Sequence, residues 1–486
     1  MRYRMRPRAG NNFCAQAIFL ATTSVIASFA FGNTAHADTP IADGVSIFAT
    51  VDVGVAYQSA GVPLNGASVG GLEYQAFTTT RNFNGSQTTL AENALEQSKI
   101  GLGVSEKLGD SGLSAVGRLE TAFNPLSGEL SNACKSLAEN SGVGTPANPQ
   151  GQNANYDSSR CGQAINGILY GGLASKTYGT LTFGRQLSLV QTALLTYDPQ
   201  IVAPAFSFFG YSGFEAGAGS TQATRLDNSV QYTLTVGEFH AAGLYSSGGL
   251  DTGVLGRTYM ADLGVTHGGL QLDALFVRAN GAVNLRSSFD NGPSPTTGSP
   301  PAGLAAFISK NTSWNAMGKY TLSLANKATL ALYAGYSHIE KAHADYNGGA
   351  SQGDYPINVG ININQTAKYD VVWLGTRWTS AKGLSISAGL YHIHQKDWTI
   401  GLGTNGNDNL TCNDGVGLLC AGNFNEASLV IDKPVVKHLD VYAGANYSVV
   451  TNGLAWGFAS DQGGAGNGRM GSQDQVTLTT GVRLKF

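Results

Sequence analysis

From Gln475 to Phe486 the chain alternates apolar and polar residues without a break. Val476, Leu478, Thr480, Val482, Leu484 and Phe486 share one parity; Gln475, Thr477, Thr479, Gly481, Arg483 and Lys485 share the other. Successive side chains of a strand point to opposite faces, so this segment has one oily face and one wet face carrying two cations. A transmembrane β-strand needs that division, lipid outside and water inside, with an aromatic at the interface. The period of two recurs in sixteen segments, near residues 44–57, 98–108, 113–123, 165–175, 179–187, 227–236, 238–247, 257–267, 269–280, 312–323, 328–340, 366–379, 384–397, 423–433, 438–449 and 473–486. Most reach ten residues, the length a tilted strand needs to cross a bilayer core.

Parity assigns the faces. Val45, Ile47, Ala49, Val51, Val53, Val55 and Tyr57 point to lipid, with Ser46, Thr50 and Asp52 inward. Ile100, Leu102 and Val104 point out opposite Lys99 and Ser105, and Leu113 and Leu119 opposite Arg118 and Glu120. Leu439, Val441, Ala443 and Tyr447 face outward, Asp440 and Asn446 inward. Tyr57, Trp378 and Phe486 lie near strand ends, where an aromatic girdle belongs. In 366–379 both faces carry apolar residues, and Arg377 is placed inward because a charge facing lipid is costly.

The connections alternate in length. Short turns (GDSG, TYG, GE, GG, ANK, SAKG, KPVVK) follow the even-numbered strands; between them come excursions at 58–97, 124–164, 188–226, 248–256, 281–311, 341–365, 398–422 and 450–472. Short turns at one end and long loops at the other are the outer-membrane barrel pattern, and a soluble sandwich has no reason to sort its connections so. The fold expected is all-β: a 16-stranded antiparallel transmembrane barrel.

Composition narrows the compartment. Residues 1–37 read as a cleaved signal peptide: four arginines at 2, 4, 6 and 8, an apolar run from Ala17 to Phe31, and Ala35-His36-Ala37 as the cleavage site. Residues 38–486 then form a single barrel domain. The whole chain carries 29 lysines and arginines against 32 acids; four of those arginines leave with the signal, so the net charge becomes −7. That is no footprint for nucleic acid, which calls for a basic patch. Cys134, Cys161, Cys412 and Cys420 remain in polar loops, an even count that favours disulfides in an exported chain. Proximity suggests 134–161 and 412–420, one of three connectivities; zinc is the rival reading, without CxxC spacing or a neighbouring His.

GVSIFATVDVGVAY (44–57), SKIGLGVSEKLGDSGLSAVGRLETAF (98–123), GTLTFGRQ (179–186), RLDNSVQYT (225–233) and the terminal GVRLKF, in that order and spacing, resemble the trimeric general porins of β-proteobacteria. The resemblance implies a homotrimer in the outer membrane, among lipid and lipopolysaccharide, passing small hydrophilic solutes by diffusion without a cofactor. It implies that the third long loop, 188–226, folds inward and constricts the lumen, setting acids (Asp198, Glu215) against bases on the wall. The wall positions it matches are Lys99, Arg118 with Glu120, and Arg225, with Arg377 on the twelfth strand. Arg185 shares parity with Phe183, so a strict strand would aim it at lipid; it lies where the chain leaves the wall and is read as anchoring the loop's base. A terminal strand ending in Phe486 is what the barrel-assembly machinery reads in this family. Rings of charge set ion preference, and the bases suggest a mild preference for anions. The first two loops, 58–97 and 124–164, do not align with the family, which leaves effective pore size open.

Other motifs stay at background. Gly66-Ala67-Ser68-Val69-Gly70 spells GxSxG without a strand-to-helix elbow, and Gly401 to Gly406 spells GxGxxG without a following helix. His392 and His394 share a strand face and read as polar-tipped interface residues rather than metal ligands. Asn407, Asp408, Asn409 and Asp414 could attract calcium at a loop, although their spacing resembles no ordered calcium site. A barrel enzyme would need a Ser/His or paired-carboxylate constellation, and a plugged transporter 22 strands and an N-terminal plug; the first strand begins too early for a plug.

Overall fold

The first and last strands of the series pair with each other. A computed structural model describes residues 39–59, 86–133, 160–212, 215, 218–219, 224–248, 256–287, 304–344, 350–352, 355–363, 366–396, 399–402, 410–411, 421–452 and 472–486. The barrel strands are β1 (Val45–Gln58), β2 (Lys99–Lys107), β3 (Leu113–Ala122), β4 (Leu169–Ser175), β5 (Gly179–Leu187), β6 (Arg225–Val236), β7 (Phe239–Ser246) and β8 (Arg257–His267). They continue as β9 (Leu270–Ser287), β10 (Leu304–Ser323), β11 (Thr329–Ala342), β12 (Ala367–Thr379), β13 (Ser385–Gln395), β14 (Gly422–Val436), β15 (Leu439–Asn452) and β16 (Ser472–Lys485). Each pairs antiparallel with its sequence neighbours, and β16 returns to β1 in the register Thr50↔Lys485 to Gln58↔Thr477. Phe486 adds reciprocal backbone bonds to Ala49, 2.9 and 3.1 Å. The result is a closed 16-stranded antiparallel barrel, as the alternation predicts.

The expected faces hold. Phe48, Thr50, Asp52 and Ala56 of β1 are fully buried, while Val55 and Tyr57 are exposed on the outside. Tyr245 and Tyr259 pair outward with ring centroids 5.1 Å apart, Phe276 and Trp314 at 4.4 Å. Phe486 stacks on His438 beside the short turn between β14 and β15. His392 and His394 sit on the outer face, each against an asparagine of β14. Among the described residues no helix is long and apolar enough to cross a membrane.

Four boundaries differ from the sequence expectation, each for a visible reason. β4 starts at Leu169 rather than near 165, because Asn166 is occupied by the chain beside it: its amide accepts from Ala122 N and donates to Ala122 O and Ser131 O. β9 and β10 run on past the membrane, across a register shift at Ala279/Ala282, to Ser287↔Leu304. That extension pairs with the loop strand Tyr355–Ile363, which in turn pairs with Thr399–Leu402. β14 runs through Pro434 at a bulge, where a residue without N–H is tolerated, so the turn lies at Lys437 and His438. A further strand, Gln87–Glu92, pairs with the upper half of β1 while β2 takes the lower half.

Residues 1–38 lie outside the described residues, as do Cys134, Cys412, Cys420, the GxSxG segment 66–70, Gly403 to Gly406, Asn407 to Asn409 and Asp414. Cys161 is disulfide-bonded.

Candidate functional site: the lumen and its inward loop

The segment between β5 and β6 turns into the barrel. The turn inward begins at a bulge: the β5–β6 register shifts between Gly184 and Gln186, with Gly184 at φ +133°, a backbone conformation that suits glycine. The shift rescues Arg185 from its lipid-facing parity. Phe183 stays outside, 56% exposed, but Arg185 is buried and donates to the carbonyls of Gly167 and Asn166, with an ion pair to Asp227 at 2.6 Å. Arg185 thus ties the base of the loop to the start of β4 and to β6.

Helix α1 (Leu189–Tyr197) follows, capped by the Ser188 hydroxyl, which accepts from Gln191 N. Its buried face (Leu189, Val190, Ala193, Leu194, Tyr197) packs on the inner wall of β7 to β11, leaving Gln191, Thr192, Leu195 and Thr196 partly open. The chain then crosses to β12 through β15. The Pro199 carbonyl accepts two bonds from Arg377, at 3.1 and 2.6 Å, and the Tyr197 carbonyl one from Trp373 Nε1. Arg377 therefore faces inward, as expected, and it holds the loop. Gln200 exchanges bonds with Ser387 and Ser428.

The short helix α2 (Phe208–Ser212) comes next, where Glu426 accepts from Phe208 N and from the Tyr211 hydroxyl. Phe206, Phe208 and Phe209 are buried against Trp373, Tyr391, Phe424 and β15; Phe209 meets Trp373 edge-on at 4.9 Å and Tyr391 at 5.4 Å. Inward glycines make the seats. A Cβ on Gly444 would lie 2.6 Å from Phe206, and one on Gly375 2.3 Å from Pro199. Ala205 N reaches across to Ala94 O beside β1.

The loop acids do not take the position expected of them. Asp198 is 0% exposed, accepting from the Tyr391 hydroxyl and from Val202 N, both at 2.6 Å. Glu215 is likewise 0% exposed, set beside Ser337 of β11. Burial raises both carboxyls above their ordinary range, Glu215 to about 7. They are docking groups between loop and wall, because the side of the loop that carries them is the side that packs.

Four cations converge on one acid of the wall. Lys99, Arg118, Arg160 and Arg225 all act on the carboxylate of Glu120. Arg118 lies 3.6 Å from Glu120 Oε2, and its guanidinium stacks 3.9 Å above the Phe48 ring. Arg160 belongs to the second long loop, and nothing in its local sequence signals this position. The same holds for the turn before β2. Asp52 Oδ2 accepts from Leu95 N and Glu96 N, and Oδ1 from the Tyr442 hydroxyl, so the turn projects Glu96 toward Lys99 (3.4 Å) and Arg483 (3.4 Å). Arg483 also pairs with Asp432 and Asp440. Except for Glu96 and Lys99, these partners are distant in sequence and meet only through register.

A family model described as Gram-negative porin matches residues 21–411, most of the chain. An outer membrane porin protein of Bordetella pertussis is 24% identical over 213 residues, 44% of this chain; the match spans 43% of that relative, less than half its length. Among solved structures, an anion-selective porin from Comamonas acidovorans superposes with TM-score 0.54 at 16% identity, covering 91% of this chain and 99% of that one. A loop-deletion mutant of OmpT, an outer membrane protein of Vibrio cholerae, gives TM-score 0.50 at 13% identity, with 91% and 99% covered. With the closed barrel and its inward loop, the match identifies the chain as a member of the Gram-negative porin family, a barrel of the outer membrane.

Proposed function

We propose that the barrel is a water-filled channel through which small hydrophilic solutes and ions diffuse passively, with a mild preference for anions and no catalytic role. A 16-stranded barrel is wide enough to keep an aqueous channel. One observation carries the anion preference: four cations, Lys99, Arg118 and Arg225 on the wall of β2, β3 and β6 and Arg160 from the second long loop, act on the carboxylate of Glu120, while Asp198 and Glu215 are committed to docking. In this reading Lys99, Arg118, Glu120 and Arg225 line the narrowest section, facing the neutral side of α1, and Arg185, Arg377, Asp198 and Glu215 fix the loop. The description of the Comamonas barrel as anion-selective agrees with it.

The assembly is a homotrimer, and Phe486 is the strand end that the assembly machinery reads. Residues 1–37 are a cleaved signal, and Cys161 pairs with Cys134. Lipopolysaccharide phosphates meet the outward Lys368 and Lys396, which pair with Glu340 and Asp370.

The test is the reversal potential of the purified protein in planar bilayers under a KCl gradient. An ion passing about 6 Å from one unit charge in water gains or loses about 0.7 kcal/mol, and roughly half survives screening at 0.1 M salt. Anion and cation respond with opposite sign, so Arg118→Ala lowers the anion-to-cation permeability ratio about fourfold. Cation preference in the wild type, or a ratio unchanged in the variant, defeats the proposal.

A further inference from the structure

We propose that His240, Asp262 and Asp273 form a binding site for one divalent first-row metal ion, of the zinc class, on the lumen wall near the short-turn end of the barrel. The register creates the site. Gly264 of β8 stands opposite His240 of β7 on one side and Asp273 of β9 on the other. With no side chain between them, the imidazole and the carboxylate lean over the bare Cα of Gly264 and come within 2.8 Å, Nε2 to Oδ1. A Cβ on Gly264 would lie 2.0 Å from Asp273 Oδ1 and 2.2 Å from His240 Nε2, so any larger residue abolishes the convergence. Asp262, two residues earlier on the same face of β8, closes the triangle, and one ligand atom from each residue lies within 4.8 Å of the others.

Charge and solvation point to a cation. Two carboxylates share one imidazole, and the charged groups set against Asp262 are Asp273 and His240. Asp262 Oδ1 is buried and receives no hydrogen bond. Asp273 is 9% exposed, with the Tyr197 hydroxyl of α1 bonded to it, and Leu244, Met260 and Leu275 are buried around the cluster. A buried carboxylate oxygen without a donor is costly, and a metal ion supplies the missing positive charge. One imidazole nitrogen with carboxylate oxygens suits zinc, whose bonds of about 2.0–2.2 Å require donors roughly 3.3 Å apart. The observed spacing brackets that value, so small side-chain rotations close the site. The fourth position is left to water or to the Tyr197 hydroxyl. The inference does not rest on the diffusion reading, since binding is measured without transport.

The experiment is calorimetric titration of zinc chloride into chelator-stripped, detergent-solubilised protein, its folded state checked by heat-modifiable gel migration. One zinc binds per chain, and Asp262→Asn or Gly264→Ala weakens binding at least tenfold. The double variant His392→Ala/His394→Ala, on the outer face, titrates like the wild type. Should the lumen variants fail to fold, the wild type decides: zinc slows diethyl pyrocarbonate modification of His240, mapped by mass spectrometry, but not that of His267. Absence of saturable binding, binding unchanged by Asp262→Asn, binding lost in the outer-face variant, or no protection of His240 overturns the proposal.

Discussion

Tyr391→Phe removes one oxygen from the wall and tests whether the loop is held by polar latches or by apolar packing alone. The hydroxyl donates to Asp198 Oδ1 at 2.6 Å, and both residues are buried, 2% and 0% exposed. The phenylalanine ring keeps the edge-on contact with Phe209, so packing is conserved and only the bond is lost. Hydrogen bonds to charged groups contribute about 1.5–3 kcal/mol. Val202 N still bonds the other carboxylate oxygen, which argues for the middle of that range, about 2 kcal/mol. Since about 1.4 kcal/mol is a factor of ten, the ratio of detached to docked loop rises about thirtyfold.

Single-channel recording reads that ratio as time spent away from the main conductance level. Tyr336→Phe is the control, because its hydroxyl bonds Asp370 on the outer face at 2.7 Å and touches nothing in the lumen. A Tyr391→Phe trace indistinguishable from the wild type, with the control also silent, refutes this latch and leaves the Arg377, Gln200 and Glu426 bonds and the aromatic cluster to hold the loop.

Three further outcomes follow from the same geometry. Gly101→Ala places a Cβ 2.2 Å from the Phe48 ring that carries Arg118, so anion preference falls in reversal-potential measurements although no charge is removed. Burial raises Glu215 to about 7, well above its undocked value, so docking of that segment is strongest at acid pH, weakens as pH rises through 7, and is level above it. Channel noise therefore grows between about pH 4.5 and pH 7 and is level above that, and Glu215→Gln removes the dependence. Deleting Phe486 removes the paired bonds to Ala49 and the His438 stack; folded yield drops on heat-modifiability gels, while barrels that do assemble keep wild-type conductance.

The strands were legible because each needs only its own alternation: a lipid face and a water face are local demands, and β1, β3 and β16 state them in full. Where a strand obeys something beyond the bilayer, the pattern misleads. β4 begins late because Asn166 serves the neighbouring chain, and β9 and β10 extend because loop strands continue the sheet above the membrane. Lys99 and Arg118 were readable from parity and Arg377 from the cost of a charge in lipid. Arg225 came from the family resemblance, Arg160 carried no signal, and the bulge that turns Arg185 inward is encoded by a single glycine. The loop acids were placed on the wrong side for a different reason. A sequence reveals that Asp198 and Glu215 are acidic, but which side of a non-repeating loop packs depends on Trp373, Arg377, Tyr391 and Glu426, all more than 150 residues away.

That misplacement bears on how a pore acquires its sign. A constriction with acids on one side and bases on the other creates a transverse field while remaining near neutral along the axis. Here the loop turns its acids and aromatics to β10 through β15 and leaves Gln191, Thr192, Leu195 and Thr196 as its open side. On β2, β3 and β6, Lys99, Arg118 and Arg225, joined by Arg160 of the second long loop, act on Glu120. In the proposed reading, a neutral loop opposite a net-positive wall does not oppose field with field; it adds a positive potential along the path, which would concentrate anions whatever the net charge of the chain. In that reading the chain's overall acidity is no guide to its selectivity, since several of its carboxylates are tied up: Asp198 and Glu215 in docking the loop, Asp432 and Asp440 on Arg483, and Glu340 and Asp370 with Lys368 and Lys396.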